Sequence, residues 1–468
     1  MIAVQRRAME HAMQPPHLTR RHLLQQSAIA LLGAGILGNR AGAQARGWNN
    51  WSGNQSATPA DILYPGDEAE LCRMLAGADA PVRAFGGSHS FTPLVPTTGT
   101  LISLERMAGL IGHDAATQQA TYGAGTRIGL ASQLAAGIGQ NLRNEPDINL
   151  QSLAGAIATA THGTGATLQS LSGYVRALKL VLADGSVVSC SAQQDRELFD
   201  AARVSLGALG IITEITLQNR PAYRLAAETQ VMDIAAACDL LTARRDLDRH
   251  IECFVFPYGD TAIVKRMNIT TDAITPPTEP SIDEDAVLEF AAETVRRLPF
   301  TQGLLQRLVA AFVPHSNSVG PAERIFPSPR LLRFNEMEYT VPMERGMECL
   351  EELIAVMRGL DIGVFFPLEF RYIAADDTAL GMCSERAGAA ISVHQYHRQD
   401  YHELFAALEP VLRKYQGRPH WGKLHTLQAA ELRELYPRWE TFLAVRRRVD
   451  PHARFLNPYA STLLGVPA

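Results

Sequence analysis

The sequence lacks the patterns of several common site types. Its six cysteines lie far apart and form no C-x-x-C pair, which excludes the usual zinc and thioredoxin-like motifs. They are predicted to be buried, inert thiols. Basic residues are few, 43 against 48 acidic ones, for a net charge of -5. With no basic excess to neutralise a phosphate backbone, no nucleic-acid partner is expected.

Long hydrophobic runs are also missing after the N-terminus, so no later segment is predicted to span a membrane. The chain has 468 residues, which is enough for two or three domains. Its composition, 46% hydrophobic and 19% charged, is that of a globular protein. No internal repeats are visible.

The first 45 residues read as a signal peptide. Arg20-Arg21 precede an apolar run over 27–38, and Ala43-Gln44-Ala45 forms an A-x-A site. The arginine pair resembles a twin-arginine signal, which predicts an exported, periplasmic protein. A run of about 12 residues at 1.5 Å each cannot cross a hydrocarbon core of ~30 Å, so cleavage is favoured over anchoring.

One motif in this segment is rejected. Gly33-x-Gly35-x-x-Gly38 matches the dinucleotide fingerprint G-x-G-x-x-G. It lies inside the signal core, has no strand before it, and no acidic residue follows about 20 positions later. We interpret it as a chance match.

The mature chain, from about Arg46, begins with a Gly- and Ala-rich α+β region over 46–219. A helix is predicted over 67–76 and a strand over 81–85 that ends at two glycines. Asp184-Gly185 predicts a hairpin between strands 177–183 and 186–191, and 210–217 alternates like a further strand.

The pattern changes at Arg220. The sequence predicts a pair of strands over 251–256 and 261–267, followed by a Pro-rich surface loop over 275–280. Two further strands, 336–341 and 364–372, are predicted on either side of a helix over 343–360. The tail is predicted to be helical over 429–449.

Glycine-rich turns in the N-terminal region point to a phosphate-bearing cofactor. Two of them, 83–91 and 158–165, contain a histidine, and 123–126 lies between them. Adjacent glycines let backbone N–H groups approach an anion closely. Each turn alone is a weak signal, but three in one region favour such a cofactor.

Two charged residues, Glu369 and Arg371, are predicted in an otherwise apolar strand. A period of two places both on one face. Charges in such a run either pair with each other or serve a site. Both interpretations stay open on spacing alone.

Several segments in order resemble the aldonolactone oxidase and alditol oxidase branch of the vanillyl-alcohol-oxidase flavoprotein family. They are distributed in family order over nearly the whole mature chain: 50–54, 86–91, 160–165, 207–211, 336–339, 368–372, 418–423 and 455–457. The resemblance implies an α+β fold with a two-part FAD-binding domain and a central α/β substrate (cap) domain. The implied boundaries are 46–219 for the flavin domain, 220–420 for the cap and 421–468 for a segment returning to the flavin domain.

The resemblance also implies the cofactor and its attachment. FAD is expected, covalently bound through His89 of the G-G-x-H-S motif; the alternative is that His89 merely packs on the ring. The implied cofactor-binding residues are Arg83, Gly86, Gly87, Ser88, His89, Ser90, Ser152, Thr161, His162, Gly163, Thr164, Gly165, Gly210 and Ile211. No metal is expected.

The implied catalytic residues are Glu369, Arg371, Lys423 and His394. A cation such as Lys423 near the flavin stabilises its anionic reduced form. His394 or His397 assists in removing the hydroxyl proton, with His394 weakly favoured by spacing. We expect Arg371 and Glu369 to act in the chemical step and to matter little for folding.

The function implied is oxidation of a CH–OH group of a sugar-1,4-lactone. An alditol substrate of the xylitol or sorbitol type, or an exported non-catalytic sugar-binding protein, are the alternatives. Oxygen or a respiratory electron acceptor would take the electrons, and peripheral membrane association is consistent with the latter.

Export is predicted to depend on Arg20-Arg21. The twin-arginine pathway reads the arginine pair itself, so changing both to lysine should leave unprocessed precursor in the cytoplasm. Cell fractionation and N-terminal sequencing of the exported form, expected to start between Gln44 and Arg46, are the measurements. Normal export of the double-lysine variant would instead indicate a general secretory signal or an anchor.

Overall fold

The computed structural model describes residues 47–276, 284–313, 316–327 and 332–467. The predicted signal peptide, the rejected glycine motif and most of the Pro-rich loop lie outside these ranges. Within them, no helix combines the length and hydrophobicity needed to cross a bilayer.

The N-terminal region contains a parallel sheet and an antiparallel one. The parallel sheet has three strands in the order Asp61–Leu63, Thr100–Ser103 and Val82–Phe85. The antiparallel sheet has five, in the order Val187–Ser191, Val175–Val181, Ile211–Gln218, Gln119–Gly123 and Leu110–Asp114. Short pairs join Trp48–Asn49 to Ser56–Ala57 and Gln140–Asn141 to Arg220–Pro221.

Local signals place the helices of this region. The helix Glu68–Ala76 begins as predicted, because Asp67 caps it by accepting a hydrogen bond from the backbone N–H of Glu70 at 2.7 Å. Ser152 caps the helix that follows it in the same way. The helices of this region are Glu68–Ala76, Ile128–Gly137, Leu153–Ala158 and Arg196–Ala202.

An eight-stranded antiparallel sheet dominates the rest of the chain. Its strands lie in the order Ser316–Pro321, Arg224–Asp233, Thr261–Thr270, His250–Phe256, Leu368–Ile373, Gly388–Tyr396, Phe334–Pro342 and Arg418–Pro419. The helices of this part and of the tail are Ile234–Arg244, Glu284–Arg297, Gln302–Phe312, Ala322–Ile325, Gly346–Arg358, His402–Lys414, Ala429–Leu435, Trp439–Val449 and Pro458–Leu464.

The two faces of this central sheet differ in chemistry. Leu368, Phe370 and Tyr372 are buried on the face that packs on the helix Gly346–Arg358. Alternation then turns Glu369 and Arg371 to the opposite face. The predicted shared face for these two charges is thus the face away from the helical layer.

Two predicted element boundaries are wrong for reasons of proline chemistry. The strand predicted from Val364 begins only at Leu368, since Pro367 has no N–H for a ladder and the N–H of Val364 bonds to Gln302 Oε1 at 2.8 Å. The single helix predicted over 429–449 is two helices, because Pro437 interrupts it.

The chain's tail packs on the N-terminal region. Arg83 is fully buried and donates hydrogen bonds to four backbone carbonyls, those of Leu94, Leu206, Gly207 and Phe455. Asn457 Nδ2 donates to the carbonyls of Pro93 and Pro96, each at 2.8 Å. The six cysteines are all free, and four are buried.

Candidate active site between the glycine loops and the central sheet

A cavity of about 540 Å³ separates the N-terminal region from the charged face of the central sheet. One wall is the 86–91 loop together with Ser152, Thr161, Gly210 and Ile211. The opposite wall carries Glu369, Arg371, His394 and Lys423. The packing of the two regions thus places many of the predicted cofactor-binding residues and the predicted catalytic residues around one cavity.

The first glycine loop needs its glycines because it runs against neighbouring chain. A Cβ on Gly86 would overlap the Ser152 hydroxyl, and one on Gly87 would come within 2.8 Å of the Leu150 carbonyl. Ser88 takes a positive φ of 57°. All five predicted residues from Gly86 to Ser90 line the cavity, so backbone rather than side chains forms much of this wall.

His89 faces the cavity from this loop and stacks on Trp51, with ring centroids 5.4 Å apart. Burial, together with the smaller effects of the Lys423 and Arg127 charges, lowers the pKa of His89 to about 4. The imidazole is therefore neutral near pH 7 and has an unprotonated nitrogen.

The second glycine loop divides its residues between two roles. Thr161 and His162 line the cavity as predicted. Gly163, Thr164 and Gly165 do not line it. They join the two regions instead: Thr164 Oγ1 donates to the Ile251 carbonyl, and the Gly165 N–H donates to that of Tyr372 at 2.8 Å.

Arg83 is held by the neighbouring backbone. It lines the cavity, but its four hydrogen bonds run to backbone carbonyls, so its donors serve the packing of the tail and the loops. A buried guanidinium with this many carbonyl partners fixes the position of the loop wall.

Arg371 lies among three carboxylates. It donates from Nε to Glu252 at 3.1 Å and from Nη2 to Asp147 at 3.0 Å and to Glu369. Although burial opposes it, the charges of these carboxylates hold the pKa of Arg371 well above its ordinary value. Glu252 is directly opposite Arg371 in the sheet register, and burial followed by the charge of Asp147 raises the Glu252 pKa.

His394 and Lys423 meet at Glu336. Lys423 Nζ bonds to Glu336, and His394 Nε2 lies 3.5 Å from Glu336 Oε1 and 3.8 Å from Glu369 Oε2. Burial opposes ionisation of Glu336, but Lys423 and His394 together lower its pKa to about 2. His394 Nδ1 is 3.1 Å from the Pro367 carbonyl, which orients the ring so that Nε2 faces these two carboxylates.

The sequence prediction missed several residues of this wall: Asp147, Glu252, Glu336, Glu338 and His420 all line the cavity or contact Arg371. Glu336 and Glu338 alternate with apolar residues as Glu369 and Arg371 do, so that pattern could have found them. Asp147 lies in irregular chain and carries no local signal. His397, the weaker alternative to His394, does not line the cavity.

Two further histidines have defined partners. His162 Nε2 is 2.7 Å from Glu338 Oε1, and Ser392 Oγ donates to the other oxygen of Glu338. His420 Nδ1 accepts from the Gly422 N–H at 3.1 Å, which places its ring proton on Nε2. Burial lowers the pKa of His420 to about 4, so it is a neutral donor near pH 7.

Three buried groups of histidine and carboxylate residues have atoms close enough to share a cation: His162–Glu338–His420, Glu336–Glu369–His394 and Asp147–Glu252–Glu369. The last group surrounds Arg371, which bonds to all three of its carboxylates, and Lys423 bonds to Glu336 of the second group. The chain's own cations thus offset part of the negative charge of these carboxylates.

Comparison with known proteins identifies both regions. Residues 59–191 match the model of an FAD binding domain, and residues 215–463 match that of D-arabinono-1,4-lactone oxidase. The L-gulono-1,4-lactone dehydrogenase of Mycobacterium tuberculosis is 38% identical over 89% of this chain and 99% of its own length.

More distant relatives span the same length. The L-gulonolactone oxidase of Mus musculus is 27% identical over 88% of this chain and 97% of its own. The alditol oxidase of a Streptomyces species is 28% identical over 89% and 98%. The cholesterol oxidase structure from B. sterolicum superposes with a TM-score of 0.76 at 15% identity, covering 92% of this chain and all of that one, which shows a shared fold.

The cavity fits the FAD that these matches imply. The loop wall consists largely of backbone, and the lack of side chains at its glycines lets a ligand approach closely. Most of the N-terminal residues that line the cavity lie within 59–191, the range that matches the FAD binding domain. The predicted α+β fold with a two-part FAD-binding domain and a central cap is confirmed.

The ion cluster generates a stability prediction. Replacing Arg371 by methionine leaves three carboxylates facing one another, so we expect the free energy of unfolding to fall by about 3–5 kcal/mol. This differs from the sequence-based expectation that Arg371 matters little for folding. Denaturant unfolding of the wild type, Arg371→Met and Arg371→Lys measures it, and the lysine variant, which keeps the charge, should lose less.

Glu252→Gln is the matched control. It keeps an oxygen for Arg371 Nε and removes one of the carboxylate charges, so its stability should stay within about 1 kcal/mol of the wild type. Equal losses in Glu252→Gln and Arg371→Met would show that packing, not charge balance, sets the stability of this face.

Proposed function

The chain belongs to the D-arabinono-1,4-lactone oxidase family, and from this premise we propose that it oxidises a CH–OH group of a sugar-1,4-lactone. Membership makes it an FAD-dependent oxidoreductase. The observation that carries the proposal is the juxtaposition of the glycine-loop wall with a wall of Arg371, Lys423, His394 and buried carboxylates in one cavity.

The sheet wall is suited to a hydroxylated ring. Carboxylates accept hydrogen bonds from hydroxyl groups, and the two cations donate to carbonyl or ring oxygens. The bonds from Arg371 to its carboxylates use Nε and Nη2, which leaves Nη1 for a substrate oxygen. Because Arg371 is held on three sides, its position needs little reorganisation when substrate binds.

His394 is the proposed proton acceptor. Its Nε2 takes the proton of the reacting hydroxyl, and Glu336 and Glu369 stabilise the imidazolium that forms. Bound FAD supplies the acceptor for the hydride that leaves the same carbon. Lys423 contributes a fixed positive charge beside the loop that carries His89, and the neutral His420 offers an N–H donor.

An alditol remains the second candidate substrate, because an open-chain polyol would use the same carboxylates and cations. A sugar lactone is favoured by the family model and by the relative of highest identity described above. A non-catalytic sugar-binding protein would need no base or cation beside a flavin, which argues against that alternative.

The test is an anaerobic flavin-bleaching screen. We expect the visible absorbance of the oxidised flavin to disappear when D-arabinono- or L-gulono-1,4-lactone is added, and more slowly or not at all with xylitol or sorbitol. Admission of air and, separately, of a quinone or cytochrome then identifies the electron acceptor. Bleaching by alditols alone would make the protein an alditol oxidase, and bleaching by neither class would contradict the proposal.

Covalent attachment of FAD through His89 is part of the proposal. A neutral, buried imidazole is a competent nucleophile, and its loop lines the cavity. After acid denaturation and gel electrophoresis, flavin fluorescence should migrate with the wild-type band and with His113→Ala, whose histidine is exposed. It should be absent from His89→Ala. Complete release of FAD from the wild type would show that His89 only packs against it.

The role of His394 predicts a loss of rate. Glutamine can still donate to the Pro367 carbonyl but cannot accept the hydroxyl proton, so His394→Gln should reduce its flavin ~10²–10⁴-fold more slowly and lose the rise in rate with pH. Stopped-flow reduction under saturating lactone measures both. His397→Gln, outside the cavity, is the control and should react like the wild type. An unchanged pH profile in His394→Gln would assign the base elsewhere.

The protein is further proposed to act after export to the periplasm. The support is the arginine pair and apolar run of its N-terminal segment. Folded export suits an enzyme that carries a tightly held cofactor.

A further inference from the structure

One histidine of the cavity has an oxygen atom in front of each of its ring nitrogens. His162 Nε2 lies 2.7 Å from Glu338 Oε1, and His162 Nδ1 lies 2.9 Å from the carbonyl oxygen of Gly163. The side chains of His162 and Glu338 are 2% and 3% exposed. The imidazole is therefore held between two buried oxygens, with little access for water.

The number of protons on this pair follows from its contacts. A carbonyl oxygen only accepts hydrogen bonds, and so does an ionised carboxylate. A neutral imidazole carries a single N–H, so it can donate to one of the two oxygens but not to both. Both contacts are hydrogen bonds if the His162 ring carries a proton on each nitrogen, or if Glu338 is protonated and donates to Nε2. In either case the pair holds one proton more than a neutral histidine beside an ionised glutamate.

The surroundings of Glu338 assign this proton to the histidine. The second carboxylate oxygen of Glu338 accepts a hydrogen bond from Ser392 Oγ at 2.7 Å, so both oxygens have a donor in front of them. Burial opposes ionisation of Glu338, but the charge of His162 and its hydrogen bond hold the Glu338 pKa well below its ordinary value. The arrangement is thus that of a carboxylate and an imidazolium.

Charge balance leads to the same assignment. The other buried carboxylates of this wall are bonded to Arg371 or to Lys423. Among the described residues, the groups that bond to the Glu338 carboxylate are His162 and Ser392. An ionised carboxylate buried between a neutral ring and a hydroxyl would have no compensating charge in contact with it, which is costly. A second proton on His162 supplies that charge.

Glycine at position 163 is required for the contact on the other nitrogen. A Cβ on Gly163 would lie 2.1 Å from the Glu145 carbonyl oxygen and 2.5 Å from Asn144 Oδ1. Only a residue without a side chain lets the chain pass this close to the 144–145 segment. Gly163 does not line the cavity, but its carbonyl fixes the orientation of the His162 ring, which does.

The other histidines that line the cavity lack this pair of contacts. His394 Nε2 lies 3.5 Å and 3.8 Å from the nearest carboxylate oxygens, which is beyond ordinary hydrogen-bond distance. His420 Nδ1 accepts from the Gly422 N–H, so it carries no proton there. Within the described part of the chain, His162 is the cavity histidine with an acceptor oxygen within 3 Å of each ring nitrogen.

We propose that His162 is an imidazolium and serves, with Arg371 and Lys423, as a third fixed cation facing the flavin. Positive charge beside the ring stabilises its anionic reduced form. The His162 ring lies 5.8 Å from that of His420, and the Lys423 N–H donates to the His420 carbonyl, so the two cations lie at the same end of the cavity. The inference rests on FAD occupying this cavity, as the proposed function requires, but not on which alcohol is oxidised.

Nitrogen NMR of the FAD-loaded protein, labelled with ¹⁵N in its histidines, counts these protons directly. Near pH 7 we expect one-bond N–H couplings at both ring nitrogens of His162, and at Nε2 alone of His420. In Glu338→Gln the carboxamide can donate to His162 Nε2, so His162 should keep a proton only on Nδ1. The His162 signals are those that change in this variant and are missing from His162→Gln, and either comparison assigns them. An unprotonated His162 nitrogen in the wild type would overturn the proposal.

The charge also has a flavin readout that needs no substrate. Sulfite adds reversibly to oxidised flavin and leaves negative charge on the ring, so its dissociation constant reports nearby positive charge. His162→Gln removes the cation and leaves Glu338 ionised, so the dissociation constant for sulfite should rise at least about tenfold. In the double variant His162→Gln, Glu338→Gln both charges are gone, and the constant should return to within about threefold of the wild type. His113→Gln, at an exposed histidine, is the control and should match the wild type.

The outcomes separate charge from packing. A double variant that binds sulfite no better than His162→Gln would assign the loss to packing and overturn the proposal, because removing a second charge cannot repair a packing defect. An unchanged sulfite constant in His162→Gln would show that the flavin senses no charge at this position. If no lactone bleaches the flavin while both measurements agree with these expectations, the proposed substrate is wrong and the charge on His162 stands.

Discussion

The charged face of the central sheet is stable only because its carboxylates are matched by Arg371 and Lys423. Taking an ion out of water is costly unless a partner of opposite charge and hydrogen bonds replace the solvent. Arg371 contacts Glu252, Asp147 and Glu369, and Lys423 contacts Glu336. These contacts offset the cost of burying the charged groups, and they also fix the positions of those groups. The candidate site is therefore largely preorganised, because its buried charges need partners.

The second requirement is the docking of the two regions on each other. The 163–165 segment bonds to the central sheet through the carbonyls of Ile251 and Tyr372, and Arg83 bonds to carbonyls of the loops and the tail. The cavity exists because these contacts hold the glycine-loop wall opposite the charged wall. The two walls also interact electrostatically: burial first, and then the charge of Lys423 from the tail side, lower the pKa of His89 on the loop.

The helix Glu284–Arg297 connects this site to the surface. Its buried side chains pack on Phe365 and Tyr396 of the cap, and Leu288 reaches the cavity. Its outer side exposes Val287 and Phe290 to solvent.

Local chemistry in the sequence determined much of this protein. Period-two alternation predicted that Glu369 and Arg371 share a face, and adjacent glycines predicted the loop wall at Gly86 and Gly87, because both depend on backbone geometry within a few residues. Only the tertiary structure decided that Asp147 completes the Arg371 cluster, that Arg83 bonds to the tail at Phe455, and that Gly163 to Gly165 leave the cavity wall. These contacts join residues separated by more than 80 positions, and no local sequence pattern encodes which distant segments meet. The pairing of distant segments is decided when the two regions pack together, because each buried charge and carbonyl must then have a hydrogen-bond or ionic partner.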